Sequence, residues 1–137
     1  MADLSITAID VVAPGTLKTS TAATEAFAIG DLMYHDGTGY AKADGTDSAK
    51  LSVAGISLTG GASGEYPILA QSGSRLSFTG PTLTKGAVYY LSGSGTAGKI
   101  APFADLGTGD SCVPVFIAES TTDVQMQVLI PTSAITL

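Results

Sequence analysis

The chain has 137 residues and a formal net charge of −6, with 45% of its residues apolar and 13% charged. That length suits one domain with its own core and needs no disulfide staple, which the single cysteine, Cys112, could not form within the chain. Twelve acidic against six basic side chains would repel a phosphate backbone, so no direct nucleic-acid partner is expected, and the charged share is about half the usual one. The surface must then be largely Ser, Thr, Gly and Ala, a weakly hydrated skin that suits an oligomer or a member of a larger assembly.

The chain opens "MADLSITAIDVV", which lacks a basic start, carries Asp3 and Asp10, and has no long apolar run. It reads as neither a signal peptide nor a membrane span, so the chain is expected in the cytosol where it is made, with no membrane partner. Residues 1–15 read as an extended N-terminal arm that ends at "APG", before a single β domain over 16–137. Next, "TAATEAF" at 21–27 could hold one helical turn; nowhere does a 3.6-residue apolar period persist over three turns. From there on come short apolar runs, "DLMYH", "SVAGISL", "YPILAQ", "RLSFTG", "AVYYLS", "CVPVFIA" and "VQMQVLI", separated by Gly, Asp, Ser and Thr clusters. These are strand and turn signals, and they predict an all-β chain of about ten short strands in a compact β-sandwich or barrel.

The runs echo one another. With Gly30 set against Gly86, Leu32 falls on Val88, Tyr34 on Tyr90 and Gly37 on Gly93. The second turn is three residues longer, after which Gly39 falls on Gly98 and Ala41 on Ile100. One further insertion brings a constant offset of 60, which matches Val53 with Val113, Ile56 with Phe116, Tyr66 with Met126, Ile68 with Val128 and Leu69 with Leu129. Side chains alternate faces along a strand, so aligned apolar positions imply the same core-facing set in both copies. The expectation is two pseudo-repeated halves, about 26–70 and 82–130, each built of two hairpins; two copies are too few for a solenoid.

Chemistry-bearing residues are sparse. His35 is the only histidine and sits beside Asp36 in a turn, but no Gly-x-Ser-x-Gly elbow marks a serine nucleophile for a triad. Asp36, Asp44 and Asp47 lack the spacing of a calcium loop and read as hairpin-turn residues. "SGSGTAGK" at 92–99 fails as a phosphate loop because Ile100 stands where Ser or Thr is needed. Tyr34, Tyr40, Tyr66, Tyr89 and Tyr90 could form an aromatic platform for sugars or bases, although strands are rich in Tyr for packing reasons alone. Cys112 reads as a spectator thiol. The residues thus predict a non-enzyme with no catalytic residue, no cofactor and no metal.

The succession "AFAIGDLMYHDGTGYAKAD", "VAGISL", "LTKGAVYYLS" and "GKIAPFADLGTGD", over residues 26 to about 120, resembles the short Ala/Gly-rich capsid decoration, or head cement, proteins of tailed bacteriophages. The resemblance implies a β-rich homo-oligomer, trimer preferred and dimer possible. It implies a structural role in the virion, on the outer capsid surface, clamping neighbouring major capsid protein subunits at symmetry axes. Before assembly such a protein waits in the host cytoplasm. If the N-terminal arm is a free strand that adds to a partner's sheet, Leu4, Ile6, Ile9, Val11 and Val12 are the candidate capsid-binding residues. The other reading of the arm is the first strand of the domain's own sheet. Two alternatives come from other classes: a carbohydrate-binding module of a phage tail or fibre using Tyr89, Tyr90 and the 92–98 loop, and a small hydrolase using His35.

Overall fold

The computed structural model describes residues 3–15, 17–18, 21–92 and 97–128. Within them lie β1 (Ala8–Ala13), β2 (Leu17–Lys18), β3 (Leu32–His35), β4 (Tyr40–Lys42), β5 (Val53–Ser57), β6 (Leu69–Ala70), β7 (Arg75–Thr79), β8 (Val88–Leu91), β9 (Ile100–Pro102), β10 (Pro114–Ala118) and β11 (Asp123–Met126). Two single 3₁₀ turns, Ser48–Lys50 and Phe103–Asp105, are the only helical segments among the described residues. The strands form a six-stranded sheet, ordered β1-β7-β11-β10-β8-β9, and a five-stranded sheet, ordered β2-β6-β5-β3-β4. Neighbours within each sheet run antiparallel. The sheets face each other as a sandwich, the first of the two architectures that alternation allowed.

The core lies between the sheets. Leu32, Tyr34, Val53 and Ile56 from one sheet meet Leu76, Phe78, Tyr89, Leu91, Phe116 and Met126 from the other. Phe116 is edge-on to Phe78, with ring centroids 5.3 Å apart, and stacked on Tyr89 at 5.3 Å. A second, smaller cluster sits on the outer face of the five-stranded sheet, where Ala23 and Phe27 cover Met33, Tyr40 and Leu69. The covering segment is 21–27, where a helical turn was expected. It instead forms two isolated bridges, at Ala23 and Phe27, joined through bends, because its backbone groups bond to neighbouring segments rather than along themselves. The N–H of Ala23 donates to Glu65 O at 2.8 Å, that of Thr24 to Tyr40 O at 2.8 Å and that of Phe27 to Gly61 O at 2.9 Å.

The two halves share one strand order, β4-β3-β5-β6 in one sheet and β9-β8-β10-β11 in the other. Gly30 and Gly86, set against each other from sequence, take the same left-handed turn at φ +89° and +84°, where a side chain would be strained. Each then donates its N–H to the end of the strand paired alongside, Ser57 O at 2.9 Å and Ala118 O at 2.7 Å. Ile56 and Phe116 match as expected: each faces the core, paired with β3 and β8 respectively.

Four expected correspondences shift: Leu32 with Val88, Tyr34 with Tyr90, Tyr66 with Met126 and, by the same displacement, Ile68 with Val128. Leu32 and Tyr34 face the core, whereas Val88 is exposed and Tyr90 half-buried; the core residues of β8 are Tyr89 and Leu91, one place along. The cause is that β8 is apolar on both faces, so alternation could not choose between registers one residue apart. Tyr66 is exposed rather than equivalent to Met126: Ala70 pairs with Ile56 as Met126 pairs with Phe116, because the 58–68 connection is longer than 119–122. Leu129 lies outside the described residues.

The N-terminal segment is laid onto the body. Leu4 N–H donates to Ile100 O at 2.8 Å, and Ser92 Oγ donates to Asp3 Oδ1. Leu4, Ile6 and Ile9 pack against the inter-sheet core. In β1, Ile9 and Val11 are the register partners of Phe78 and Leu76. The described part of the expected arm is therefore the domain's own edge strand, the second of its two readings: Leu4, Ile6 and Ile9 pack on the core, while Val11 and Val12 stay exposed.

Candidate interaction surfaces

The titratable groups singled out from sequence are engaged in building turns. His35 is exposed, its Nδ1 accepting the Gly37 N–H at 3.1 Å and its ring edge-on to Tyr40. Asp36 Oδ1 accepts the N–H groups of Gly39 at 2.9 Å and Thr38 at 2.8 Å, and these bonds hold its carboxyl below the usual aspartate range. Asp44 accepts from the Thr46 N–H and hydroxyl, and Asp47 caps the 3₁₀ turn through the Ala49 N–H. The three carboxylates thus serve separate turns, and among the described residues no group of three or more His, Cys, Asp or Glu could hold a metal ion. Cys112 is half-buried.

The tyrosines do not form one platform. Tyr34 and Tyr89 are in the inter-sheet core and Tyr40 is in the second cluster on the opposite face of its sheet. Tyr66 is exposed, and Tyr90 lies beside Phe103 with ring centroids 5.5 Å apart. The Tyr89 hydroxyl is occupied by the Thr84 N–H at 2.9 Å. Of the pair invoked for sugar binding, only Tyr90 reaches the surface, and residues 93–96 of the accompanying loop lie outside the described residues.

An open cleft of about 450 Å³ is lined by Phe27, Asp31, Lys42, Lys99 and neighbouring alanines. Asp31 is 3% exposed and fully engaged, taking the Ala28 N–H at 2.9 Å and Lys99 Nζ at 3.2 Å. Lys42 lies 3.8 Å from Glu25. Each cation is matched by a carboxylate, so the cleft offers a ligand little net charge.

Two surfaces remain. One is the outer edge of β1, among the described residues the longest strand and an end strand of its sheet. Val11 is 38% and Val12 56% exposed there, and the register with β7 breaks between Val11 and Ala13. Of the candidate capsid-binding residues, Leu4, Ile6 and Ile9 pack inward and only Val11 and Val12 reach this edge. Edges are usually blunted by charged side chains, Pro or bulges; Ala8–Ala13 carries the exposed Asp10 and a bulge but no Lys or Pro, and leaves Val11 and Val12 exposed.

The other is the outer face of β8 and β10. Val88, Tyr90, Pro114, Phe116, Ile117 and Gln127 line a groove of about 240 Å³ on it, and Phe103 stands at its side, 52% exposed. No lining residue is charged. No family model matches the chain, and no curated protein matches it. The surfaces must speak for themselves.

Sequence reasoning missed the second surface, although a signal for it was present. "AVYYLS" and "CVPVFIA" are continuous apolar runs rather than alternating ones, and such runs carry apolar side chains on both faces of a sheet. The equivalent outer face of the other half is covered by Ala23 and Phe27; the face of β8 and β10 is open to solvent at Val88 and Phe103.

Proposed function

We propose that the chain is a capsid decoration protein that binds the outer surface of a tailed-phage head and holds neighbouring major capsid subunits together as a homo-oligomer. The observation that carries this reading is the pair of exposed apolar side chains, Val11 and Val12, on a strand that ends its sheet among the described residues. An edge of this kind takes up an extended segment of a partner through main-chain hydrogen bonds, with alternate side chains giving specificity. The sequence resemblance, the sparse charge and the turn roles of His35, Asp36, Asp44 and Asp47 support the same reading.

A shell fails when one capsomer parts from the next. An oligomer that touches several subunits at once resists that separation through effective concentration, even when each contact is modest. Main-chain pairing and apolar contact carry the binding, so raising the salt concentration should weaken it only slightly.

The test is to mix the protein with undecorated, DNA-filled phage heads and image them by cryo-electron microscopy. Ordered outer density at symmetry axes, lost in Val12→Lys, is the expected result, because the substitution puts a charge in place of the most exposed apolar side chain of β1. Bare heads at high protein concentration, or binding abolished by moderate salt, would overturn the proposal. A point variant is preferable to deleting residues 2–12, because Ile6 and Ile9 pack on the core and their loss would unfold the product.

A further inference from the structure

The groove on β8 and β10 has a projection of matching chemistry beside it. Phe103 leaves the end of β9 half-exposed, with its ring 5.5 Å from Tyr90, and Tyr90 is itself a wall of the groove. A cavity of about 150 Å³ is enough to hold benzene, so a groove of about 240 Å³ accepts a phenyl ring. Phe103 of the same chain is not among the residues lining the groove, although it touches Tyr90, which is.

We infer that the occupant of this groove is Phe103 of a second copy of the same chain, in a two-fold contact that places each copy's ring between Val88, Tyr90, Pro114 and Ile117 of the other. A knob and a hole on one face, side by side, are what an isologous contact requires: the same patch serves both copies and the association closes at two. The charge distribution points to the same occupant. Two chains of net charge −6 repel each other over most of their surfaces and can approach closely only where charge is absent. The groove lining and Phe103 are free of charge, and Gln125 and Gln127 on β11 and just beyond it are exposed polar neighbours. Large aromatic side chains held at such a centre carry much of an interface's free energy. A two-fold unit departs from the trimer that the family resemblance favours, because the projection and the groove share one face. The inference concerns self-association alone and can fail or succeed independently of capsid binding.

Sedimentation velocity on the full chain, over a concentration series without phage heads, tests it. The expected result is a species of twice the 13.7 kDa chain mass, dissociating on dilution. Phe103→Ala should raise the dissociation constant about tenfold or more, and Ile117→Lys, which puts a charge into the groove, should leave only monomer. Both side chains are at the surface, and circular dichroism confirms that the variants fold. A monomer at every concentration, a trimer, or a dimer indifferent to both substitutions would overturn the inference.

Discussion

Phe27 and Phe103 form a matched pair on the outer faces of the two sheets, and their truncations should differ sharply. Phe27 is 7% exposed, wedged over Met33, Tyr40 and Leu69 beside Gly61, whereas Phe103 is 52% exposed. Removing a buried phenyl ring costs about 3–5 kcal/mol from lost transfer free energy and the cavity left behind. A domain of this size has only about 5–15 kcal/mol in total. Removing a half-exposed ring from an unassociated chain should change stability by about 0.5 kcal/mol or less. At roughly 3–5 °C per kcal/mol for a chain of this length, Phe27→Ala should lower Tm by about 10–20 °C and Phe103→Ala by about 2 °C or less. The assay is thermal and urea unfolding followed by circular dichroism. It should be run dilute enough that the chain is monomeric, since self-association would add apparent stability by mass action. The urea m value should stay constant in both variants, so that a shifted midpoint reports stability alone. Equal losses in the two variants, or a loss below about 1 kcal/mol for Phe27→Ala, would refute the claim that the 21–27 segment is a packed cover rather than a loose loop.

Three further outcomes follow from the geometry. The N–H groups of Gly39 and Thr38 lower the Asp36 pKa in the folded chain, so the carboxylate's contribution to the turn is fully present above the unfolded aspartate value. It fades as pH falls through the lower folded value, and NMR titration should find the Asp36 carboxyl still ionised at a pH where an aspartate in an unfolded chain is protonated. Gly55→Ala would place a Cβ 2.5 Å from the Ala70 carbonyl oxygen, a backbone atom that cannot swing aside, and should destabilise by about 1–3 kcal/mol in urea unfolding. Arg75→Ala breaks the 2.8 Å ion pair to Glu119 on an exposed face and should cost at most about 1 kcal/mol in the same assay, less at high salt.

The sequence was most legible where short-range chemistry has one solution. Turn glycines and Asp-Gly pairs punctuate the chain at close intervals, and no apolar run has a helical period, so an all-β reading followed directly. The echo of Gly30 in Gly86 reflects one shared left-handed turn, and the match of Ile56 with Phe116 one shared core position. Legibility failed where both faces of a strand are apolar. In β8 the pattern Val88, Tyr89, Tyr90, Leu91 fits either register, and only the opposing sheet determined that Tyr89 and Leu91 turn inward. The same ambiguity hid the groove, because an outward Tyr90 and an inward Tyr89 are indistinguishable until a sheet is packed on one of them.

What the sequence determined by itself was local: the strand class, the turns, and the scarcity of charge that leaves self-association and lattice contact open. What the tertiary structure decided was non-local. It made 21–27 a cover rather than a helical turn, because Tyr40, Gly61 and Glu65 offered its backbone hydrogen bonds from elsewhere in the chain. It made the N-terminal segment an edge strand rather than a free arm, because its backbone pairs antiparallel with β7, Ile9 opposite Phe78 and Val11 opposite Leu76. Long-range pairing depends on which segments meet, and no window of residues carries that information alone.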